Sequence, residues 1–155
     1  MTGNQQAPLD SGFGNRTTAA DILKGVDLEG RNVIVTGGYS GIGIEAVKAL
    51  ANAGASVMVP ARRPDKAREE LTGIPNVEVA EFELADLKSI AKFAADYVAT
   101  AKPLHLLINN AAIMASPEMR VGPGWEAQFT TNHLGHFALV AGLAPALKAA
   151  EGARV

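Results

Sequence analysis

The stretch Val33-Ile34-Val35-Thr36-Gly37-Gly38-Tyr39-Ser40-Gly41-Ile42-Gly43 decides the fold. Three consecutive apolar residues mark a strand buried on both faces of a parallel sheet. The glycine-rich turn after them leads directly into a segment with helical periodicity. Each glycine has its own physical task. Gly37 permits a tight exit from the strand, and Gly41 lets an anion reach backbone N–H groups with no Cβ in the way. Gly43 lets the helix pack closely on the sheet. The unsatisfied N–H groups of the first helical turn, with the positive end of the helix dipole, then face a pyrophosphate. A glycine turn carries this meaning only between a strand and a helix, which is where this one lies.

Outward from the turn, punctuation is regular. Residues 42–53 place Ile42, Ala46, Ala49 and Ala53 at helical spacing, and Gly54 ends the segment. A strand over Ser56–Ala61, a charged helix over Asp65–Leu71 and a strand over Val77–Phe82 follow. Asp86 caps a helix carrying Leu87, Ile90, Ala94, Tyr97 and Ala101. Leu104–Ile108 reads as a fourth strand, and residues 125–149 as a long helical stretch that Pro145 kinks or ends. Ala153-Arg154-Val155 starts a fifth strand. Strands alternating with helices give an α/β fold, a Rossmann-type doubly wound parallel sheet of leading order 3-2-1-4, truncated after the start of its fifth strand. Residues 31–155 form this partial dinucleotide-binding domain. Residues 1–30 form an arm whose first sixteen residues lack apolar periodicity. It carries one short helix, introduced by the capping box Thr18-Ala-Ala-Asp21 and stopped by Gly25.

The 155 residues include 14 basic and 16 acidic side chains, a net charge of −2, with 48% hydrophobic residues. Such a balance argues against nucleic acid or a polybasic membrane surface as the main partner. No apolar run approaches the roughly 18 residues of a transmembrane helix, and the polar start Met1–Asp10 carries no secretory signal. A cytoplasmic protein is expected. With no cysteine, disulfides, thiolate metal sites and cysteine nucleophiles are excluded. His133 and His136 stand three apart, short of the three or four ligands a metal site needs, so no metal is expected.

The spacing Thr36-Gly-x-x-x-Gly-x-Gly resembles the short-chain dehydrogenase/reductase family. Asn109-Asn110-Ala111-Ala112 is similar to that family's Asn-Asn-Ala-Gly, and Phe129-Thr-Thr-Asn132-His-Leu-Gly135-His136-Phe137 to its helix carrying the active-site asparagine. The resemblance covers about residues 31–155 and is nearest to retinol-dehydrogenase-like and WW-domain-oxidoreductase-like members. It implies a nicotinamide cofactor held by Gly37, Tyr39, Ser40, Gly41, Ile42, Gly43, Asn110, Ala111 and Ala112. Ala112 stands where glycine is usual, a mild change that adds one methyl to the backbone near the cofactor.

Cofactor choice is read from the end of the second strand. An acidic residue there grips the ribose 2′-hydroxyl of NAD. Here Pro60-Ala61-Arg62-Arg63 offers guanidinium groups, which pair with a 2′-phosphate through parallel charge-assisted bonds. NADP is therefore expected over NAD. Arg62 matches the family's arginine position, with Arg63 beside it. Glu83-Leu84 follows the third strand, where the family has an aspartate and then an apolar residue against adenine.

The resemblance implies hydride transfer between nicotinamide and an alcohol or carbonyl compound. A tyrosine acts as acid and base, its pKa lowered by a lysine four residues on, with a serine and a relay asparagine beside them. Asn132 matches the relay position. The only tyrosines, Tyr39 and Tyr97, are followed four residues later by Gly43 and Ala101, so no Tyr-x-x-x-Lys occurs. The expected enzyme is thus present as a fragment, inactive by itself, of a protein that forms homo-oligomers through the helix over 125–149. A naturally short, non-catalytic dinucleotide-binding or regulatory module is the alternative. The apolar edge Leu104–Ile108, beside a nearly absent fifth strand, is expected to favour aggregation and weak cofactor binding.

Overall fold

A computed structural model describes residues 11–155. Four parallel strands lie in the order β3-β2-β1-β4: β1 Asn32–Val35, β2 Ser56–Ala61, β3 Val77–Glu81 and β4 Leu106–Ile108. The register pairs Val33 with Val57 and with Leu106. This is the doubly wound order expected from the sequence, with its switch point between β1 and β4.

Alternation along β1 assigns the two faces. Val33 and Val35 pack with Val47 and Leu50 of α2 (Gly41–Asn52) and with Leu71, which follows α3 (Pro64–Glu70). Ile34 turns to the other face. There it joins Ile90, Phe93, Ala94 and Tyr97 of α4 (Leu87–Ala99) and Leu139, Leu143 and Ala146 of the last helix. All of these are buried, and Phe82 meets Phe93 edge-on at 5.2 Å between ring centres. The sheet is therefore filled on both faces, which is why its strands read as continuous apolar runs. Asp86 caps α4 by accepting from Lys88 N, and α1 (Ala19–Ile22) has the Thr18–Asp21 capping box. Residues 1–10 of the expected arm lie outside the described residues.

The expected fifth strand is present as a single parallel bridge. Leu107 N donates to Arg154 O at 3.0 Å, and Arg154 N to His105 O at 2.9 Å.

One position on α2 falls outside its buried stripe, and one sequence expectation needs correction. Ile42 is 85% exposed, because the buried stripe of α2 runs through Gly43, Val47 and Leu50 and leaves Ile42 at the rim of a cleft. The helical stretch over 125–149 is divided. Trp125–Glu126 (β6) pairs antiparallel with Arg120–Val121 (β5), and Glu126 caps α5 (Ala127–Phe129). A π-helical turn, Thr130–Gly135, joins it to α6 (His136–Ala149). The hairpin wins because Gly122 and Gly124 both adopt positive φ and reverse the chain, while the Glu126 carboxylate accepts from Gln128 N and Phe129 N. Pro145 lies inside α6, which continues past it.

Candidate functional site

At the carboxyl ends of the strands a cleft of about 630 Å³ opens over the switch point. Its floor is the turn between β1 and α2, where Thr36, Gly37, Tyr39, Ser40, Ile42 and Gly43 line it. The first intrahelical bond of α2, from Ile44 N to Ser40 O, is 3.4 Å long, so the amides of Gly41, Ile42 and Gly43 stand ahead of the hydrogen-bonded turns. Ser40 makes no side-chain cap bond. Gly41 has φ +55°, and a Cβ placed on it would meet nothing within 4 Å. Gly43 is the opposite case: a Cβ there would overlap the Gly37 carbonyl oxygen and lie 2.7 Å from Asn110 Nδ2. One glycine thus faces open space and the other fastens helix to turn.

The β1–β4 junction is held by side chains. Thr36, 1% exposed, accepts at Oγ1 from Asn110 N and Ala111 N, both at 3.0 Å. Asn110 Nδ2 donates to Thr36 O at 3.0 Å and Gly37 O at 3.4 Å. Asn110 therefore ties the end of β4 to the glycine turn, while Ala111 and Ala112 continue along the cleft wall. Ala112 lines the cleft with no left-handed backbone.

Arg62, Arg63 and Lys66 line the cleft beyond β2. Among the described residues neither arginine has an ion-pair partner, and Lys66 reaches Glu70 only at 4.0 Å. This end of the cleft carries three cations and one carboxylate, Glu70. Glu83 and Leu84 form the third border. One Glu83 carboxylate oxygen is committed to Ala85 N at 3.0 Å, and Leu84 is buried.

Asn132 sits in the π-helical turn, a feature often found at functional sites. Its Oδ1 accepts from Ile113 N at 2.9 Å and its Nδ2 donates to Ile113 O at 2.8 Å. Asn132 thereby fixes the loop after β4, with Ile113 lining the cleft. His133 and His136 diverge: His133 stacks on Phe129 with ring centres 5.2 Å apart, and His136 is buried against Thr36. Among the described residues no three metal-ligating groups converge. Tyr97 is a core residue whose hydroxyl, pushed up to about 12 by burial, lies 3.5 Å from Pro103 O.

Met119 and Val121, in the segment Met114–Trp125 read from the sequence as bordering the cleft, line it, whereas sequence reasoning missed Lys66, Ala127 and Thr131. The Gly122-Pro123-Gly124 run was a turn signal that could have located the hairpin. Lys66 carried no signal beyond its helical spacing from Arg62.

An open parallel sheet with a glycine turn and a cleft at its switch point defines the Rossmann class of nucleotide-binding folds. The short chain dehydrogenase family profile matches residues 31–155, and the chain belongs to that family. A probable oxidoreductase of Streptomyces antibioticus is 47% identical over 84% of this chain and 45% of its own length. Mouse retinol dehydrogenase 11 is 45% identical over 84% of this chain and 43% of its own. The chain thus spans less than half the length of these relatives. A solved protein from Mycobacterium paratuberculosis superposes with TM-score 0.73 at 39% identity, covering 83% of this chain and 46% of that one. The RhlG/NADP active-site complex of Pseudomonas aeruginosa gives 0.68 at 27% identity, over 81% and 51%. No helix among the described residues is long and apolar enough to cross a membrane.

Proposed function

We propose that residues 31–155 are the cofactor-binding part of an NADP-dependent oxidoreductase that moves hydride between nicotinamide and a small alcohol or carbonyl substrate. Residues 1–30 are an arm preceding it. One observation carries the reading: the glycine turn, through Gly37, Ser40, Ile42 and Gly43, shares a cleft with Arg62 and Arg63, which have no ion-pair partner among the described residues. The residues fit a dinucleotide. The glycine-turn amides, with Tyr39, Ser40 and Ile42 beside them, would hold the pyrophosphate, and Arg62 and Arg63 a 2′-phosphate. Glu83 and Leu84 would border the adenine, with Asn110, Ala111 and Ala112 along the ribose side. When bound, the cofactor supplies or accepts the hydride. Asn132 is assigned to the proton relay, and its paired bonds to Ile113 orient it.

The 155 residues contain no Tyr-x-x-x-Lys, and we assign proton transfer to a longer protein of which this chain is part. The chain alone is then inactive. Phe129 and Phe137, 53% and 69% exposed on the outer side of α5 and α6, support a homo-oligomer of that protein. Sedimentation of the longer protein as a monomer would remove that part of the proposal. A cytoplasmic location without nucleic-acid partners completes it, in keeping with the net charge of −2.

The test is the ratio of NADPH to NADH affinity in the native chain and in Arg62→Ala. A charge-assisted bond contributes about 1.5–3 kcal/mol, and exposure of Arg62 places it at the lower end. The preference for NADPH should fall about tenfold, with NADH binding unchanged. An unchanged ratio would remove the NADP assignment.

A further inference from the structure

Among the described residues, His136 is the one buried titratable group beside the glycine turn that the proposed chemistry does not use. It is 7% exposed and starts α6, one turn after Asn132. Its Nε2 lies 2.9 Å from Thr36 Oγ1 and its Nδ1 3.1 Å from the Asn132 carbonyl oxygen. A carbonyl oxygen can only accept, so Nδ1 must carry the proton. Burial pushes the imidazole below its ordinary pKa, against the opposing pull of the Asn132 carbonyl, so the ring is neutral at pH 7 and Nε2 is an acceptor. Thr36 must then donate its hydroxyl hydrogen to His136. The alternative acceptor, Ile108 O, is farther away at 3.4 Å. The two lone pairs of Thr36 Oγ1 remain for the amides of Asn110 and Ala111 at 3.0 Å. Every donor and acceptor is used, and the bonds run in one direction: Ala111 N–H to Thr36, Thr36 O–H to His136, His136 N–H to Asn132. Such aligned chains strengthen one another in a low-dielectric interior.

We propose that His136 is a positioning residue for dinucleotide binding, its Nδ1-protonated ring locking Thr36, at the entrance of the glycine turn, to the main chain of Asn132. The cofactor-binding reading of the cleft is assumed. Without the lock, the turn between β1 and α2 and the π-helical turn carrying Asn132 have no side-chain bond between them among the described residues. With it, the floor of the cleft and the π-helical turn, which lines the cleft through Thr131, keep a set separation.

Three substitutions and one spectrum test this. Phenylalanine preserves the ring's bulk and removes both hydrogen bonds, whereas glutamine loses bulk but keeps an acceptor toward Thr36. A packing role predicts that His136→Phe outperforms His136→Gln. The lock predicts the reverse: His136→Phe weakens NADPH binding at least tenfold, and His136→Gln restores it to within about threefold of native. Long-range 1H–15N correlation spectra of the full chain, with the His136 signals identified by their loss in His136→Gln, should show the Nδ1–H tautomer. Thr36→Val should leave the proton on Nδ1, where the Asn132 carbonyl holds it, and shift the Nε2 signal because that nitrogen loses its donor. Should His136→Phe fail to fold, the native tautomer and its response to Thr36→Val still decide. An Nε2–H tautomer, or native affinity in His136→Phe, would overturn the proposal. If the native chain binds no dinucleotide while the Nδ1–H tautomer is seen, the lock is upheld and the reading of the cleft fails.

Discussion

Replacing Gly43 by alanine is the sharpest perturbation of the turn, because the added methyl has nowhere to go. Its carbon would overlap the Gly37 carbonyl oxygen, sit 2.7 Å from Asn110 Nδ2 and 3.0 Å from the Gly37 carbonyl carbon. Two of these neighbours are main chain, and the third is the amide that donates to Thr36 O and Gly37 O. Relief requires the start of α2 to move off the turn or the Asn110 bonds to break. Overpacking of this kind costs about 1–3 kcal/mol, and a lost hydrogen bond adds about 1 kcal/mol. The expected destabilisation is therefore about 2–4 kcal/mol. For a chain of this length that is a fall in Tm of roughly 4–16 °C, at about 2–4 °C per kcal/mol. Gly41→Ala is the matched control, since its methyl meets no atom within 4 Å and only the left-handed backbone at φ +55° is strained. It should cost about 1–2 kcal/mol while its methyl stands in open space beside the exposed amides of the first helical turn. Urea unfolding and NADPH titration separate the two. Gly43→Ala should lose stability and binding together, whereas Gly41→Ala should lose binding out of proportion to stability. Native stability in Gly43→Ala, or NADPH affinity unchanged in Gly41→Ala, would refute the reasoning.

Two further outcomes follow from the same geometry. Tyr97 is buried with its hydroxyl pushed up to about 12, so the folded chain holds that proton more tightly than the unfolded chain does. Its contribution is intact below about pH 10 and is lost as pH rises towards 12, on the order of 2–3 kcal/mol. Ultraviolet difference titration should find one tyrosine ionising only near that limit, and two ordinary titrations would contradict this. Asn132→Ala removes both bonds to Ile113, at about 1–2 kcal/mol in total. Amide exchange at Ile113 should quicken at least tenfold, and unchanged protection would show that the loop after β4 is held by something else.

The fold was legible because its signals are local. Val33-Ile34-Val35, the turn over 37–43 and the cap at Asp86 depend on periodicity, glycine conformation and capping, which act over a few neighbouring residues. The strand order followed from right-handed crossovers once the elements alternated. Arg62 and Arg63 were legible for a similar reason, since they directly follow a strand that ends at the cleft. Where sequence reading failed, two local signals competed. Residues 125–149 have helical spacing, yet the Gly122–Gly124 reversal and the Glu126 cap lie at their start and convert the first residues into a hairpin. Ile42 fits a helical stripe, but its burial depends on where the sheet lies relative to α2.

By itself, the amino-acid order determined the class of fold, the place of the glycine turn and the absence of a Tyr-x-x-x-Lys pair. Only the tertiary structure decided that Lys66 joins the arginines, that Asn132 grips Ile113 and that His136 meets Thr36 across 100 residues of sequence. The physical reason is range. A backbone preference is written within one or two turns of chain, whereas a hydrogen bond between Thr36 and His136 exists only after β1, β4 and α6 have packed around one core.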